Sequence, residues 1–250
     1  MRHVATALAF ALLLAGCAAA PPPIETITGK PIPDDQVKQT ILTLALTEWA
    51  NFGKQRVYQE DGVEVIKPVG IWEDDRKGSA LVAKYWQFLD PDSKLTGYDC
   101  LDPWSAAFIS WVMRRGGVDP RQFVKSAAHR DYLRAIVAHE GDPTFKLKPR
   151  HPADYAPRPG DLICRGRGKD HDLTDYRDLP YDAELHCDIV VSNANGKLQS
   201  IGGNVRQSVS MSERPVAADG KLDAAWFIVV ENRYPDPPSG AAMMPFAMPR

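Results

Sequence analysis

The fold class is decided by the stretch Leu185-His186-Cys187-Asp188-Ile189-Val190-Val191, whose side chains would alternate between the two faces of a β-strand. Residues 161–164, 197–201, 208–212 and 226–231 repeat this two-residue period. Asn195-Gly196 separates the second and third of these five segments and is typical of a tight hairpin turn. The chain after residue 160 therefore predicts an antiparallel sheet.

Before residue 160, apolar residues recur at three- and four-residue spacing, which is typical of helices. The pattern predicts a first helix from an Asp34 cap to about Asn51, with others over 79–89 and 120–139. The best-defined helix has Asp102 as N-cap and Pro103 in the first helical position, and it ends at 116–117. Residues 52–76 predict no firm element. Helices followed by an antiparallel sheet predict an α+β fold.

Composition and charge exclude several classes of function. The chain has 250 residues, with 30 Lys and Arg against 32 Asp and Glu, and a net charge of −2. Without a basic stripe, this balance argues against a nucleic-acid-binding surface. The apolar run at residues 4–15 is shorter than the roughly 20 residues needed to cross a bilayer, and no later segment is longer. A multi-span transporter is therefore excluded.

The N-terminus predicts an exported, lipid-anchored protein. Residues 1–16 resemble a lipoprotein signal peptide, and small residues directly precede Cys17, the expected lipidation site. A plain cleaved signal peptide with an incidental cysteine is the alternative. Ala18 resembles the sorting pattern for the outer membrane, so we expect attachment there, facing the bacterial periplasm. Residues 17–33 predict a proline-rich tether and 233–250 a disordered tail.

Cys100, Cys164 and Cys187 remain if Cys17 carries lipid. In an oxidising periplasm, one disulfide and one free thiol are the simplest expectation, and the sequence does not identify the pair. No C-x-x-C motif or regular Cys/His spacing is present, so we predict neither a metal site nor a cofactor.

Four polar residues are candidates for catalysis. Ser105 falls in the first turn of its predicted helix, where the helix dipole favours a developing anion, although serine is also common near helix starts. His186 could be the general base or a structural strand histidine, and Asp188 shares its face. Asn204 follows two glycines and could orient the His186 ring, polarise a substrate carbonyl, or simply form a turn.

His129 is a candidate for the wall of a substrate site. It shares one predicted helical face with Ser126 and Tyr132 and could line a substrate cleft, but packing at a helix surface explains it equally well.

Four segments, taken in order, resemble the CHAP and NlpC/p60 cell-wall hydrolases, which are papain-like enzymes. Residues 103–111 resemble the helix whose Trp-Cys-Ala-x-Phe pattern carries the nucleophile, and 159–163 resemble the Pro-Gly-Asp-Leu start of a strand. Residues 186–191 resemble the His-x-x-Ile-Val-Val strand, and 203–204 the Gly-Asn pair that carries the third polar residue. The resemblance covers residues 98–232, after a helical N-terminal part at 34–97. The whole chain also resembles an uncharacterised lipoprotein family of this superfamily that reads Pro-Trp-Ser.

The resemblance implies a papain-like domain, with helices packed on an antiparallel sheet or half-barrel, that cleaves amide bonds of peptidoglycan or its peptides. Ser105 would be the nucleophile, His186 the base, and Asn204 or Asp188 the residue that orients it. Serine in the cysteine position leaves open an inactive domain that binds peptidoglycan or an envelope partner. A lipid acyl hydrolase or transferase is a second alternative, because the same papain-like superfamily includes lipid-acting members. Cys100, just before the helix, is an alternative nucleophile, although a disulfide to Cys164 or Cys187 is an equally easy use of it. The sequence does not indicate a protein partner.

Overall fold

The computed structural model describes residues 31–237. Four helices precede most of the sheet: α1 (Asp34–Asn51), α2 (Arg76–Leu89), α3 (Ser105–Arg115) and α4 (His129–Ala138). The α+β prediction is confirmed.

Eight strands form one open sheet, which is mostly antiparallel. They are β1 (Arg56–Glu60), β2 (Val63–Ile66), β3 (Leu147–Arg150), β4 (Leu162–Gly166), β5 (Leu185–Ala194), β6 (Lys197–Val205), β7 (Ser208–Pro215) and β8 (Ile228–Asn232). Their order is β2-β1-β7-β6-β5-β4-β8-β3, and among these described strands only the β1–β7 pairing is parallel. The central strands β4 to β7 carry most of the site described below.

All five predicted strands are confirmed. Asn195 and Gly196 join β5 to β6 with φ values of 55° and 72°, the left-handed backbone that a tight hairpin turn requires. Three strands were not predicted. The hairpin β1–β2 lies in the region without a firm prediction, because its mostly exposed side chains give little hydrophobic alternation. The predicted order, with all helices before the sheet, is therefore not complete, because this hairpin lies between α1 and α2.

Two helix starts were predicted too early. Helix α3 begins at Ser105, with Trp104 in the N-cap position, because Asp102 donates its N–H to the Asp99 carbonyl in a preceding turn. Helix α4 begins at His129 rather than Pro120. The segment before it is held in a loop by Ser110, whose hydroxyl donates to the Ser126 carbonyl and accepts the Ser126 N–H. Helix α1 has the predicted bounds, but Asp34 does not cap it.

Helix α3 is almost entirely buried and packs against α2 and against strands β5 and β6. Helices α1 and α2 share its hydrophobic core, so residues 34–97 pack together with residues 98–232. A smaller apolar cluster, which includes Ile163, Val190 and Trp226, lies apart from this core. The sheet is therefore buried on both faces near its centre.

The cysteines follow the predicted count. Cys164 and Cys187 form a disulfide between neighbouring positions of β4 and β5, and Cys100 is free and exposed. No helix within residues 31–237 is long and apolar enough to span a bilayer. The predicted signal peptide, the Cys17 lipidation site, most of the tether and residues 238–250 of the predicted tail lie outside the described residues.

Candidate active site

Ser105 is the first residue of α3, and its side chain is buried, with 3% of the residue exposed. No side chain caps the start of this helix, so its first backbone N–H groups remain available to a nearby anion. Trp104 fixes the helix start: its indole N–H donates to the Glu73 carboxylate, and its ring stacks with both Phe52 and Tyr85. The hydroxyl of Ser105 is therefore held at a defined place by the core.

His186 connects Ser105 to Asp188. The Ser105 Oγ lies 3.0 Å from His186 Nδ1, and His186 Nε2 lies 2.8 Å from Asp188 Oδ1. His186 and Asp188 stand two residues apart on β5, so the strand presents both side chains on one face. With Asp188 ionised, His186 donates its Nε2–H to the carboxylate, and Nδ1 is left to accept the Ser105 hydroxyl proton.

Asp188 is held as a carboxylate. Burial acts to raise its pKa, but the charge and hydrogen bond of His186, together with the charges of Arg214 and Arg165, hold the pKa well below its usual value. The Ser200 hydroxyl donates to Asp188 Oδ2 at 3.0 Å, and Arg214 Nη2 lies 3.8 Å from the same oxygen. The carboxylate is thus oriented at both oxygens.

Glycine at 202 makes room for this carboxylate. A Cβ at Gly202 would overlap Asp188 Oδ1. A Cβ at Gly203 would overlap the side chains of Phe108 in α3 and of Trp104 at its N-cap. Both residues lie where the β6–β7 register shifts. The glycine pair therefore allows strand β6 to approach Asp188 on one side and α3 on the other.

Asn204 does not take the first of its predicted roles, orienting the His186 ring, which Asp188 takes instead. It has φ 56° in the same irregular segment of β6, and it lines a cavity beside His186. Because Asp188 takes His186 Nε2, the structure joins Asp188 and not Asn204 to the ring. Three of the four candidate residues therefore meet, and the fourth lies on the cavity wall.

His129 approaches Ser105 from the other side. Its Nε2 lies 2.8 Å from Ser105 Oγ, and its Nδ1 is hydrogen-bonded to the Tyr132 hydroxyl one turn along α4. The shared helical face of His129 and Tyr132 was visible in the sequence. Its contact with Ser105 was not, because α3 and α4 meet only in the tertiary structure.

Burial and then the charge of His186 lower the pKa of His129 well below its usual value. Burial also favours the neutral form of Tyr132: it raises the pKa of the hydroxyl, so the side chain stays a phenol. Tyr132 can then donate to His129 Nδ1, and His129 Nε2–H can donate to Ser105 Oγ. One continuous series of donors leads from Tyr132 through His129, Ser105 and His186 to Asp188.

A cavity of about 340 Å³ opens beside His186. Its walls come from strands β1, β2 and β4 to β7 and include four arginines. Ser105 does not line this cavity, so a substrate there would meet the imidazole edge first. Most of the residues that line this cavity are polar or charged.

The remaining candidates do not join the site. Cys187 is in the disulfide with Cys164, and the Cys100 thiol contacts the Gly97 carbonyl at 3.6 Å. Within the described part of the chain, no three His, Cys, Asp or Glu side chains are grouped to bind a metal ion.

The model of one protein family, described as "Uncharacterized protein conserved in bacteria (DUF2272)", matches residues 75–237. This chain belongs to the DUF2272 family. No curated protein and no solved structure matches it. The DUF2272 region contains Ser105, His129, His186, Asp188 and Asn204, whereas α1 and the β1–β2 hairpin precede it.

Proposed function

We propose that this protein is a serine-dependent hydrolase that cleaves amide bonds of cell-wall peptide. The observation that carries the proposal is the Ser105–His186–Asp188 arrangement, with heavy-atom distances of 3.0 and 2.8 Å. These distances are within the reach that proton transfer between a nucleophile and its base requires. A serine hydroxyl needs such a base and an oriented third group, and all three are buried together here.

In the proposed reaction, His186 Nδ1 takes the proton of Ser105 while Oγ attacks the amide carbonyl carbon. The resulting imidazolium is stabilised by Asp188 and then donates its proton to the leaving amine nitrogen as the C–N bond breaks. Water, deprotonated by the same imidazole, attacks the acyl-serine ester and releases the carboxylic acid. Ser105 regains its proton, so the site returns to its starting state.

The start of α3 and His129 both favour the anionic stage of this reaction. The uncapped N–H groups at the helix start and the positive end of its dipole face charge that develops near Ser105. A neutral His129 contributes an Nε2–H beside Oγ without adding a competing positive charge. His129 would therefore position the Ser105 hydroxyl and stabilise negative charge that develops on Ser105 Oγ.

The choice of cell-wall peptide rests on sequence features. Residues 103–111, 159–163 and 186–191 resemble cell-wall hydrolases, and the N-terminus resembles an exported lipoprotein. A papain-like arrangement is part of the proposal: a nucleophile at the start of a buried helix and a base on the adjacent strand β5. We propose peptidoglycan peptides as substrate, in the periplasm, with a lipid on Cys17 as the anchor.

The test is mass spectrometry of peptidoglycan and its muropeptides after incubation with the purified protein. We expect new fragments with the wild type and none with Ser105→Ala or His186→Ala. Ser192→Ala is the control, since this half-buried serine lies on β5, the strand that carries His186. Fragment release that is unchanged in Ser105→Ala would rule out the proposed nucleophile.

A binding function is the second candidate. The observation that favours it is the near-complete burial of Ser105, whose Oγ already contacts two histidines. In that case the wild type, Ser105→Ala and His186→Ala would co-sediment equally with peptidoglycan and release no fragment. Release of fragments by the wild type would rule out a purely binding role.

A further inference from the structure

The cavity beside His186 is basic, although the whole chain has a net charge of −2. Arg165, Arg167, Arg206 and Arg214 line it, against the two carboxylates Glu64 and Glu213. The excess positive charge is therefore local and adjoins the proposed base.

The two carboxylates on the wall already have cationic partners. Arg206 Nε lies 2.6 Å from Glu64 Oε1, and Glu213 forms ion pairs with Arg56 and, at 3.0 Å, with Lys197. Neither carboxylate neutralises the other three arginines. Within the described residues, Arg165 and Arg167 have no hydrogen-bonded carboxylate of their own.

Arg165 and Arg167 lie beside the reacting groups. Arg165 on β4 is the direct cross-strand partner of His186 on β5, so the two side chains stand on the same face. Arg167 follows two residues later, just after the end of β4. Both arginine residues are exposed and line the cavity that reaches His186.

Arg214 supplies a third, less exposed cation. Its guanidinium packs over the Trp226 ring at 4.6 Å, and its nearest carboxylate oxygen, on Asp188, is 3.8 Å away. Among the described residues, its buried Nε has no hydrogen-bond partner. Burial lowers the pKa of Arg214, which is consistent with a cation that lacks a full counter-charge. An anionic ligand group would supply one.

We propose that Arg165, Arg167 and Arg214 form a subsite that binds a free carboxylate of the peptide substrate next to the bond to be cleaved. The inference rests on the proposed peptide-hydrolase function and specifies its substrate class. Guanidinium groups bind carboxylates through paired hydrogen bonds, and a cavity of about 340 Å³ has room for such a group. A phospholipid fits less well, because Val57 and Val205 are the only aliphatic lining residues within the described chain.

The test measures binding in the Ser105→Ala protein, so that cleavage does not interfere. The probes are purified muropeptides with free carboxylates and the same muropeptides after conversion of their carboxylates to carboxamides. By calorimetry, we expect the free acids to bind at least about tenfold more tightly, as expected for a charge-assisted contact. Arg165→Gln with Arg167→Gln should remove this preference. Arg121→Gln, an exposed arginine outside the cavity, should keep it.

Equal binding of both probes would overturn the subsite. So would binding to phosphatidylglycerol vesicles that depends on Arg165 and Arg167, since the ligand would then be a lipid headgroup. Hydrolysis by the wild type is measured separately. Cleavage of both probes at equal rates would support the hydrolase function and overturn the subsite. A binding preference that depends on Arg165 and Arg167, without any cleavage by the wild type, would support the subsite and overturn the hydrolase function.

Discussion

At the residue scale, the central feature is a serine hydroxyl between two imidazoles. His186 Nδ1 and His129 Nε2 lie 3.0 and 2.8 Å from the same oxygen, yet their surroundings differ. His186 is backed by the carboxylate of Asp188 and can store a proton as an imidazolium. His129 is backed by the Tyr132 phenol and is disfavoured as a cation. The two rings therefore suit different roles, base and neutral donor.

We predict that Ser105→Cys stays active and becomes sensitive to alkylation. A thiol 3 Å from an imidazole loses its proton readily, so the geometry that serves serine should serve cysteine at least as well. The variant is made in a Cys100→Ala background, since Cys100 is free and exposed. Fragment release from muropeptides is measured before and after iodoacetamide treatment. Full activity of the alkylated variant would contradict this prediction.

We also predict that acidification destabilises the protein partly through His129. Its folded pKa is lowered, so the unfolded chain binds the proton more readily. The stabilising contribution is present above about pH 6.5 and is lost as the pH falls below it, with a slope of at most about 1.4 kcal/mol per pH unit. Urea unfolding between pH 7.5 and 5 should show a weaker pH dependence for His129→Gln than for the wild type.

The control for this measurement is the exposed His171, changed to Gln, which should keep the wild-type pH dependence. Identical slopes for the wild type and His129→Gln would show that His129 is not the group responsible.

At the scale of elements, the site depends on how β5 and β6 are built. Strand β5 presents His186 and Asp188 on one face and the Cys187 disulfide on the other. Strand β6 must come close to Asp188, and Gly202 permits this approach. A glycine inside a strand weakens that strand, so its presence here indicates a close contact with another group.

We predict that Gly202→Ala lowers activity at least about tenfold by displacing Asp188, and that overpacking costs about 1–3 kcal/mol of stability. Gly141→Ala is the control, because nothing lies within 4 Å of a Cβ there. Turnover and urea unfolding are measured for both variants. Since Gly202 would act through Asp188, the combined Gly202→Ala, Asp188→Ala protein should be no less active than Asp188→Ala. Additive losses of activity would contradict this explanation.

At the scale of the whole molecule, one crosslink and one shared core hold the site in place. The Cys164–Cys187 disulfide joins β4 to β5 at the residue beside His186 and closes a loop over a separation of 23 residues. Helices α1 to α3 pack in the core that covers the same strands. The helix that carries Ser105 and the strand that carries His186 are therefore held by one cooperative unit.

We predict that removing this disulfide with Cys164→Ala and Cys187→Ala lowers the free energy of unfolding by about 3 kcal/mol, as expected for a loop of this length. Cys100→Ala should leave it unchanged. Urea unfolding with and without a thiol reductant measures both effects. A midpoint for the wild type that does not move on reduction would argue against a stabilising role.

The sequence was sufficient for the elements with strong periodicity. Helix α1 and the five strands after residue 160 were predicted because each buries a regular apolar pattern against the core. The β1–β2 hairpin was not, since an edge hairpin with mostly exposed side chains needs no such pattern. The starts of α3 and α4 were placed too early, because turn contacts keep Asp102 and Ser126 in the loops that precede these helices.

Within the site, the sequence was enough to predict the one pair of residues that lies on a single strand. His186 and Asp188 share a face of β5 because strand side chains alternate, whatever the rest of the chain does. The contacts between different elements depend on the packing of the folded chain: Ser105 with both histidines, Ser200 and Arg214 with Asp188, and Asn204 at the cavity wall. The reason is physical. Local periodicity specifies which way a side chain points, whereas packing of α3 and α4 against the sheet specifies what it touches.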